Sequence, residues 1–189
     1  MKHIAIFASG TGSNALKIIE YFEQHPNIQV SLIISNKASA PVLDIAEQRS
    51  IPSLLLQRSY FYQSEDILKD LDTYSIDFIV LAGFLWLIPE YLVQSYTKRM
   101  VNIHPALLPK YGGKGMYGMN VHRAVHAAEE KESGITIHYV NSQYDEGAIV
   151  FQAPCAIEPK DQPKDIAAKV RQLEHQHFAP VIEGLLNTL

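Results

Sequence analysis

The stretch Ile4-Ala5-Ile6-Phe7-Ala8-Ser9-Gly10-Thr11-Gly12-Ser13-Asn14 decides the fold. Its first part, Ile4–Ala8, is an unbroken apolar run, which predicts a strand that is buried on both faces of a sheet. Glycines stop the run, and Ser13 or Asn14 can cap the helix that follows. A buried strand, a glycine-rich turn and a helix in this order predict the first unit of a parallel α/β sheet.

The same alternation continues through the first half of the chain. Strands are expected at 30–34, 53–56, 78–82 and 100–103, and helices at 41–48 and 65–71. Strands that alternate with helices favour parallel pairing with right-handed crossovers. In such a sheet, ligands bind beyond the carboxyl ends of the strands.

The second half of the chain has a different pattern. The glycine-rich segment 108–120 predicts a mobile loop, and a helix is expected at 121–130. Apolar and polar side chains alternate over 134–140, which predicts a half-buried strand with 148–153 as its partner. Asp161 and Pro163 open a long helix that Pro180 should kink or break. We therefore predict one α/β domain with a Rossmann-like, mostly parallel central sheet, flanked by helices and antiparallel at its edge in the C-terminal half.

The composition is typical of a globular protein. With 189 residues, 47% of them apolar, the chain can bury a full core without disulfides. A net charge of −4 argues against a nucleic-acid-binding surface, which would normally be basic. No apolar stretch approaches the roughly 20 residues of a membrane span. The single cysteine, Cys155, cannot form an internal disulfide, so we expect a cytoplasmic protein without membrane or nucleic-acid partners.

The segment Ser9–Asn14 has the features of a phosphate cradle. Glycines let backbone N–H groups approach an anion closely, and a helix N-terminus adds roughly half a positive charge. The segment lacks the Gly-Lys-Ser/Thr ending of a P-loop and the third glycine of a dinucleotide-binding fingerprint. A single phosphate is the ligand that we predict, with a plain strand-to-helix turn as the alternative.

The run Asn102-Ile103-His104-Pro105-Ala106-Leu107-Leu108 offers two groups for acyl transfer. Asn102 and His104 lie on the same face of a predicted strand. An amide can hold an oxyanion, and an imidazole can transfer a proton. Asp145 would favour the charged imidazole if it lay within about 4–6 Å of it. Taken alone, an aspartate just before a glycine is also a common turn former.

His122 and His126 have the i,i+4 spacing of zinc ligands on a helix. The residues between them are Arg-Ala-Val, so the glutamate of a metalloprotease motif is absent. We interpret the pair as part of a solvated helix face and predict no metal site.

Taken together, these residues resemble a known family. From Ile4 to about Gly184 the chain is similar to the folate-dependent formyltransferases, and within them to the glycinamide ribonucleotide transformylases. The resemblance rests on the run Asn102–Lys110 and on Ser9–Asn14, Ser35–Lys37, Leu81–Phe84, Gly134–His138, Asp145–Gly147 and Glu174-His175. It implies formyl transfer from 10-formyltetrahydrofolate to the amine of glycinamide ribonucleotide in purine biosynthesis, without a metal.

The resemblance also implies a role for each matching residue. Asn102, His104 and Asp145 match the catalytic residues of the family. The phosphate would be held by Gly12, Ser13 and Asn14, the ribose by Glu174 with Arg171 nearby, and the folate by Asn102, Leu85, Trp86, Leu87, Ile88, Asn141, Ser142, Gln143, Tyr144 and Asp145. Within a single domain, 1–189, residues 1–100 would form the nucleotide- and phosphate-binding half and residues 101–189 the catalytic and folate-binding half. The protein would act on these small molecules as a monomer or a weak homodimer.

The chain also departs from the family pattern, and related activities remain as alternatives. The loop 111–120 is longer than the common form, Trp86 stands where a basic residue is frequent, and Ser64 stands where an arginine can touch the folate. A formyltetrahydrofolate deformylase would use water as the nucleophile and carry an extra N-terminal domain, and a methionyl-tRNA formyltransferase would carry a C-terminal one. The sequence favours neither extra domain. A non-catalytic nucleotide-binding module with the same fold is the remaining alternative.

Overall fold

The computed structural model describes residues 1–189 as seven strands and seven helices. The strands are β1 (Lys2–Phe7), β2 (Ile28–Ser35), β3 (Ser53–Leu55), β4 (Phe78–Leu81), β5 (Met100–His104), β6 (Glu132–Tyr139) and β7 (Ile149–Ala156). The helices are α1 (Ser13–Phe22), α2 (Val42–Gln48), α3 (Arg58–Gln63), α4 (Ile67–Thr73), α5 (Glu90–Ser95), α6 (Met119–Ala127) and α7 (Pro163–Leu186). None of the helices combines the length and the apolar character that a bilayer crossing requires.

All seven strands form one sheet in the order β3-β2-β1-β4-β5-β6-β7. The strands from β3 to β5 pair in parallel, whereas β6 is antiparallel to both β5 and β7. The predicted α/β architecture, mostly parallel with an antiparallel C-terminal edge, is therefore confirmed. The strand order reverses between β1 and β4, which is the point where open α/β sheets bind their ligands.

Strand β1 is buried on both faces, as its apolar run predicts. Ile4 and Ile6 belong to a core of 30 buried residues that includes side chains of α1, α2, α6 and α7. Ala5 and Phe7 belong to a second core of 16 buried residues with side chains of α3, α4 and α5. Because alternate residues of a strand point to opposite faces, one apolar run contributes to both cores.

The predicted cap of α1 is wrong. The N-cap residue is Gly12, with φ +74°, and no side chain caps the helix. A Cβ on Gly12 would lie 2.7 Å from Cγ2 of Val42, so a glycine is needed here for space as well as for its left-handed backbone. Ser13 is the first helical residue, and the side chain of Asn14 is used elsewhere, in a contact with α7.

Strand β6 is not half-buried as predicted, because its polar side chains are buried as well. Thr136 is fully buried and His138 is 2% exposed. The Thr136 hydroxyl accepts a hydrogen bond from Leu108 N at 2.9 Å and donates one to the Ala106 carbonyl at 2.7 Å. The alternation of apolar and polar residues therefore belongs to a strand that is buried on both faces. On the polar face, Thr136 forms hydrogen bonds with the segment that follows β5.

The predicted break at Pro180 does not occur, since α7 continues from Pro163 to Leu186. A proline removes one backbone hydrogen bond from a helix. The residues around it, Phe178, Ala179 and Ile182, are buried against the main core, and this packing holds the helix together. The remaining predicted elements lie within three residues of the observed bounds, whereas the six-residue helices α3 and α5 were not predicted.

Candidate active site

A cleft of about 750 Å³ lies at the carboxyl ends of β1, β4 and β5. The predicted site residues that line it are Gly12, Ser13, Asn14, Leu85, Trp86, Leu87, Ile88, Asn102, His104, Asn141, Gln143, Tyr144, Asp145, Arg171 and Glu174. Ser142 is the one predicted site residue outside the lining. Convergence at the strand ends is the expected consequence of a parallel sheet.

His104, the last residue of β5, is 3% exposed, and each of its ring nitrogens faces an oxygen. Nε2 lies 2.8 Å from the Tyr111 carbonyl oxygen, and Nδ1 lies 3.4 Å from Oδ2 of Asp145. A carbonyl oxygen can only accept, so Nε2 donates to Tyr111. Both nitrogens can donate at once in this setting, which is the hydrogen-bonding pattern of a charged imidazolium.

Asn102 faces His138 across the strands. The two residues are direct partners in the β5–β6 register, and Nδ2 of Asn102 lies 3.1 Å from Nε2 of His138. Nδ2 also donates to Oδ1 of Asp145 at 3.4 Å. Nδ1 of His138 lies 2.9 Å from the Tyr139 carbonyl oxygen, which fixes its proton on Nδ1. Nε2 of a neutral His138 can therefore accept from Asn102 and orient its amide.

Asp145 is the centre of this cluster, and its carboxylate is kept ionised by its surroundings. Burial alone would raise the pKa of Asp145, but the hydrogen bond from His104, the charge of His104 and the Gly113 N–H together hold that pKa well below its usual range. The side chain of Asp145 is 11% exposed. A carboxylate held in this way can balance a positive charge on His104 throughout a reaction.

Two backbone features place Asp145. Its own φ is +58°, and Gly113 N donates to its Oδ2 at 2.9 Å. Gly147, two residues further on, packs so closely against β6 that a Cβ would lie 1.6 Å from the Tyr139 carbonyl oxygen. The predicted loop 108–120 thus contributes directly to the site, with the Tyr111 carbonyl on His104 and the Gly113 amide on Asp145.

The turn between β1 and α1 exposes backbone donors to the cleft. The first hydrogen bond of the helix runs from Leu16 N to the Gly12 carbonyl, so the N–H groups at the start of α1 have no helical partner. Thr11, Gly12 and Ser13 line the cleft at this point. The geometry therefore fits an anion at the end of the helix.

The wall opposite this turn is formed by α7. Nδ2 of Asn14 donates to Oε2 of Glu174 at 3.1 Å, while Oδ1 of Asn14 is enclosed and has no partner. Burial raises the pKa of Glu174 above its usual value, although the Asn14 hydrogen bond and the charges of Arg171 and His104 oppose the shift. Arg171 is exposed and forms no ion pair with Glu174. A carboxyl that is oriented by an amide at the wall of the cleft suits a ligand that carries hydroxyl groups.

The segment after β4 presents an aromatic wall. The Trp86 ring packs 5.8 Å from Phe61 and 6.3 Å from Phe84, measured between ring centroids. The Arg58 guanidinium carbon lies 5.7 Å from the centre of the Trp86 ring and 5.3 Å from that of Tyr62. Arg58 thus stacks against these two rings, although it does not line the cleft itself.

His122 corrects another prediction. It is 5% exposed and lines the cleft, so it does not belong to a solvated helix face, whereas His126 does lie on the exposed side of α6. The difference arises because α6 packs on α7 through Val121, His122 and Val125. No group of three or more His, Cys, Asp or Glu side chains in the structure could hold a metal ion.

Sequence reasoning therefore missed His138 and His122 as site residues. His138 lies in the quoted run Gly134–His138, but its role depends on the register of β6 against β5. His122 lies beside Val121 and three residues before Val125, and this apolar pattern indicates the buried face of the helix.

The fold and the site define a group-transfer enzyme family. The family model described as "Formyl transferase" matches residues 2–182, and the chain belongs to that family.

The relatives within this family have a common name. The chain is 40% identical to the chloroplastic phosphoribosylglycinamide formyltransferase of Arabidopsis thaliana, over 97% of this chain and 65% of that protein. It is 37% identical to the phosphoribosylglycinamide formyltransferase of Haemophilus influenzae, over 97% of this chain and 86% of that protein. The crystal structure of the enzyme of this name from Bacillus halodurans has a TM-score of 0.87 and 34% identity, with 98% of this chain and 95% of that chain covered. The chain thus spans slightly less than two thirds of the plant relative.

Proposed function

We propose that this protein transfers the formyl group of 10-formyltetrahydrofolate to the amine of glycinamide ribonucleotide. The products would be formylglycinamide ribonucleotide and tetrahydrofolate, in de novo purine biosynthesis. The observation that carries the proposal is one cleft in which the phosphate-binding turn and the group of Asn102, His104 and Asp145 face the same space. The relatives' name, phosphoribosylglycinamide formyltransferase, supports formyl transfer to this ribonucleotide.

The ribonucleotide is assigned to the wall between α1 and α7. The free N–H groups after Gly12 would bind its phosphate, with the helix dipole favouring the negative charge. Glu174 would accept from the ribose hydroxyls, and the Asn14 amide, which donates to Glu174, would hold that carboxyl in place. Arg171, exposed at the edge of this wall, adds a positive charge for the anionic ligand.

The formyl folate is assigned to the remainder of the cleft. Leu85–Ile88 and Asn141–Asp145 line it, apart from Ser142, and offer backbone groups and apolar surface to a flat ring system. Trp86 and the neighbouring aromatic rings give that surface its apolar character. This assignment places the folate beside Asp145 and Asn102, where the formyl group must lie for transfer.

The reaction is assigned to direct attack of the amine on the formyl carbon. The amine is a good nucleophile, so no covalent enzyme intermediate is required. When the substrates bind, Asn102 would turn the N–H that contacts Asp145 at 3.4 Å to the developing oxyanion. His104 would release its Nε2–H from the Tyr111 carbonyl, stabilise the same charge and deliver that proton to the leaving folate nitrogen. The attacking nitrogen loses its proton to water, and water restores the proton of His104. Asp145 holds the positive charge of His104, because its lowered pKa makes it a weak base.

A spectrophotometric assay of folate release at neutral pH tests the proposal, with glycinamide ribonucleotide present and absent. Release that requires the ribonucleotide is the expected result. Release without it would identify a deformylase instead. No release under either condition, together with ribonucleotide binding, would leave a non-catalytic binding module and contradict the proposal.

Several properties remain predictions. A cytoplasmic location and a monomeric or weakly dimeric state belong to this group, as do independence from metals and the absence of a nucleic-acid partner. The division at residue 100 into a nucleotide half and a folate half is also a prediction. Gel filtration and assays in the presence of a chelator address two of them directly.

A further inference from the structure

His122 is a buried histidine in the cleft without a hydrogen-bond partner. It is 5% exposed, and Nδ1 is completely enclosed. Neither ring nitrogen bonds to the protein, and Nε2 is the one that retains accessible surface. Polar atoms in protein interiors are nearly always paired, so a histidine in this state at the wall of a cleft needs an explanation.

The surroundings keep His122 neutral. Burial lowers its pKa to about 4, and the charges of Arg171 and His104 act in the same direction. A neutral imidazole carries one N–H. A buried N–H without an acceptor is rarer in proteins than an acceptor without a donor, so the proton belongs on Nε2. His122 therefore presents an uncharged N–H donor to the cleft.

The position of His122 indicates which substrate it meets. It lies within range of the charges of Arg171 on α7 and of His104 on β5. The charges of the same two residues act on Glu174, and α6, which carries His122, packs on α7, which carries Glu174. The proposed folate segments lie on other elements. An uncharged donor near the assigned ribose site and His104 fits an uncharged oxygen of the ribonucleotide.

We propose that His122 is a ribonucleotide-binding residue that donates its Nε2–H to an oxygen of the ribose–glycinamide part of the substrate. This inference rests on the proposed function. The proposal adds a substrate contact from α6. Of the two histidines on that helix, His122 would bind substrate, whereas His126 faces solvent.

The test is isothermal titration of glycinamide ribonucleotide into the wild-type protein and three variants. His122→Phe keeps the ring and removes the donor, and its dissociation constant should rise about tenfold. His122→Gln places an amide N–H at a similar reach and should stay within about threefold of wild type. His126→Gln, one helical turn further on, is the matched control and should bind as wild type.

Two further measurements separate binding from a structural effect. In the steady state, His122→Phe should raise the KM for the ribonucleotide by about tenfold and leave the KM for the folate unchanged. Inorganic phosphate should inhibit the wild type and His122→Phe equally, since the contact is assigned to the ribose–glycinamide part. If His122→Phe does not fold, as judged by circular dichroism, His122→Asn replaces it, because its amide is too short to reach.

The results distinguish the two proposals. If the wild type does not bind glycinamide ribonucleotide, the proposed function fails. If the wild type binds and His122→Phe binds equally well, the proposed function stands and the role of His122 is refuted. The role of His122 would also be refuted if His122→Phe lost affinity equally for the ribonucleotide and inorganic phosphate, or if it changed both KM values equally. It would be refuted as well if His122→Gln bound the ribonucleotide as weakly as His122→Phe.

Discussion

The substitution Gly147→Ala tests how strongly the reaction depends on the position of Asp145, because it leaves the carboxylate itself unchanged. A Cβ on Gly147 would lie 1.6 Å from the carbonyl oxygen of Tyr139 and 2.7 Å from its carbonyl carbon. Real Cβ atoms do not come closer than 3.0 Å to such atoms. The turn that carries Gly147 and strand β6 must therefore separate by about 1.4 Å to accept one methyl group.

This separation acts directly on the reactive cluster. Asp145 lies two residues before Gly147, and its carboxylate is 3.4 Å from Nδ1 of His104 and 3.5 Å from Nε2 of His138. The contact to His104 is already near the limit of a hydrogen bond, so a shift of about 1 Å breaks it. A misplacement of that size in an active site costs on the order of 100-fold in rate. We expect kcat to fall by about that factor in Gly147→Ala.

The assay is steady-state formyl transfer with both substrates saturating, alongside thermal unfolding of each variant. Gly184→Ala on α7 is the matched control, because a Cβ there meets nothing within 4 Å, and its kcat should equal that of the wild type. The reasoning is refuted if folded Gly147→Ala retains kcat within about threefold of wild type. A loss that affects only the fraction of folded protein, with normal turnover per folded molecule, would refute it as well.

Three other predictions concern the remaining parts of the cleft. Asn102→Ala and His104→Ala should each lower kcat by about 100- to 1000-fold, as is typical when an oxyanion donor is lost, and near-normal turnover in a folded variant would overturn the mechanism. Gly12→Ala should raise the KM for the ribonucleotide and leave the KM for the folate unchanged, because its Cβ would lie 2.7 Å from Val42 Cγ2 at φ +74°; the two KM values measured in parallel decide this. His122 has a folded-state pKa of about 4 against an ordinary value of 6.5, so the unfolded chain binds the extra proton first on acidification. The free energy of unfolding should thus fall by up to about 3 kcal/mol from pH 6.5 to pH 4 through this group, and denaturant titrations of His122→Gln should lack that part of the pH dependence.

The sheet could be predicted from the sequence because its signals are local. The run Ile4–Ala8 is apolar at every position, and only a strand with helices on both faces buries all of it. The same logic brings Ser9–Asn14 and Asn102–His104 to one edge of the sheet, since both follow parallel strands. The cleft lining contains both segments, so this part of the site follows from strand direction alone.

The contacts within the cluster could not be predicted, because they depend on register and on packing between distant segments. Asn102 meets His138 only through the pairing of β5 with β6, and a register shift of one residue would turn His138 to the other face. His122 is buried because α6 packs on α7, more than 40 positions later in the chain. The resemblance to a family supplied Asp145 as a partner of His104, whereas spacing alone left it as a turn former.

The geometry of Asp145 also explains why glycines surround it. Oδ2 of its carboxylate faces His104 and also accepts from the backbone of Gly113, which itself has φ +93°. Oδ1 faces Asn102 and His138. A Cβ on Gly112, the residue before Gly113, would lie only 3.2 Å from Cβ of Asp145, and a Cβ on Gly147 would overlap the carbonyl oxygen of Tyr139. The carboxylate is therefore positioned by backbone from two loops that only glycine lets approach so closely. It follows that substitutions at these glycines, which carry no chemistry, should reduce turnover as strongly as substitutions at the polar residues that do.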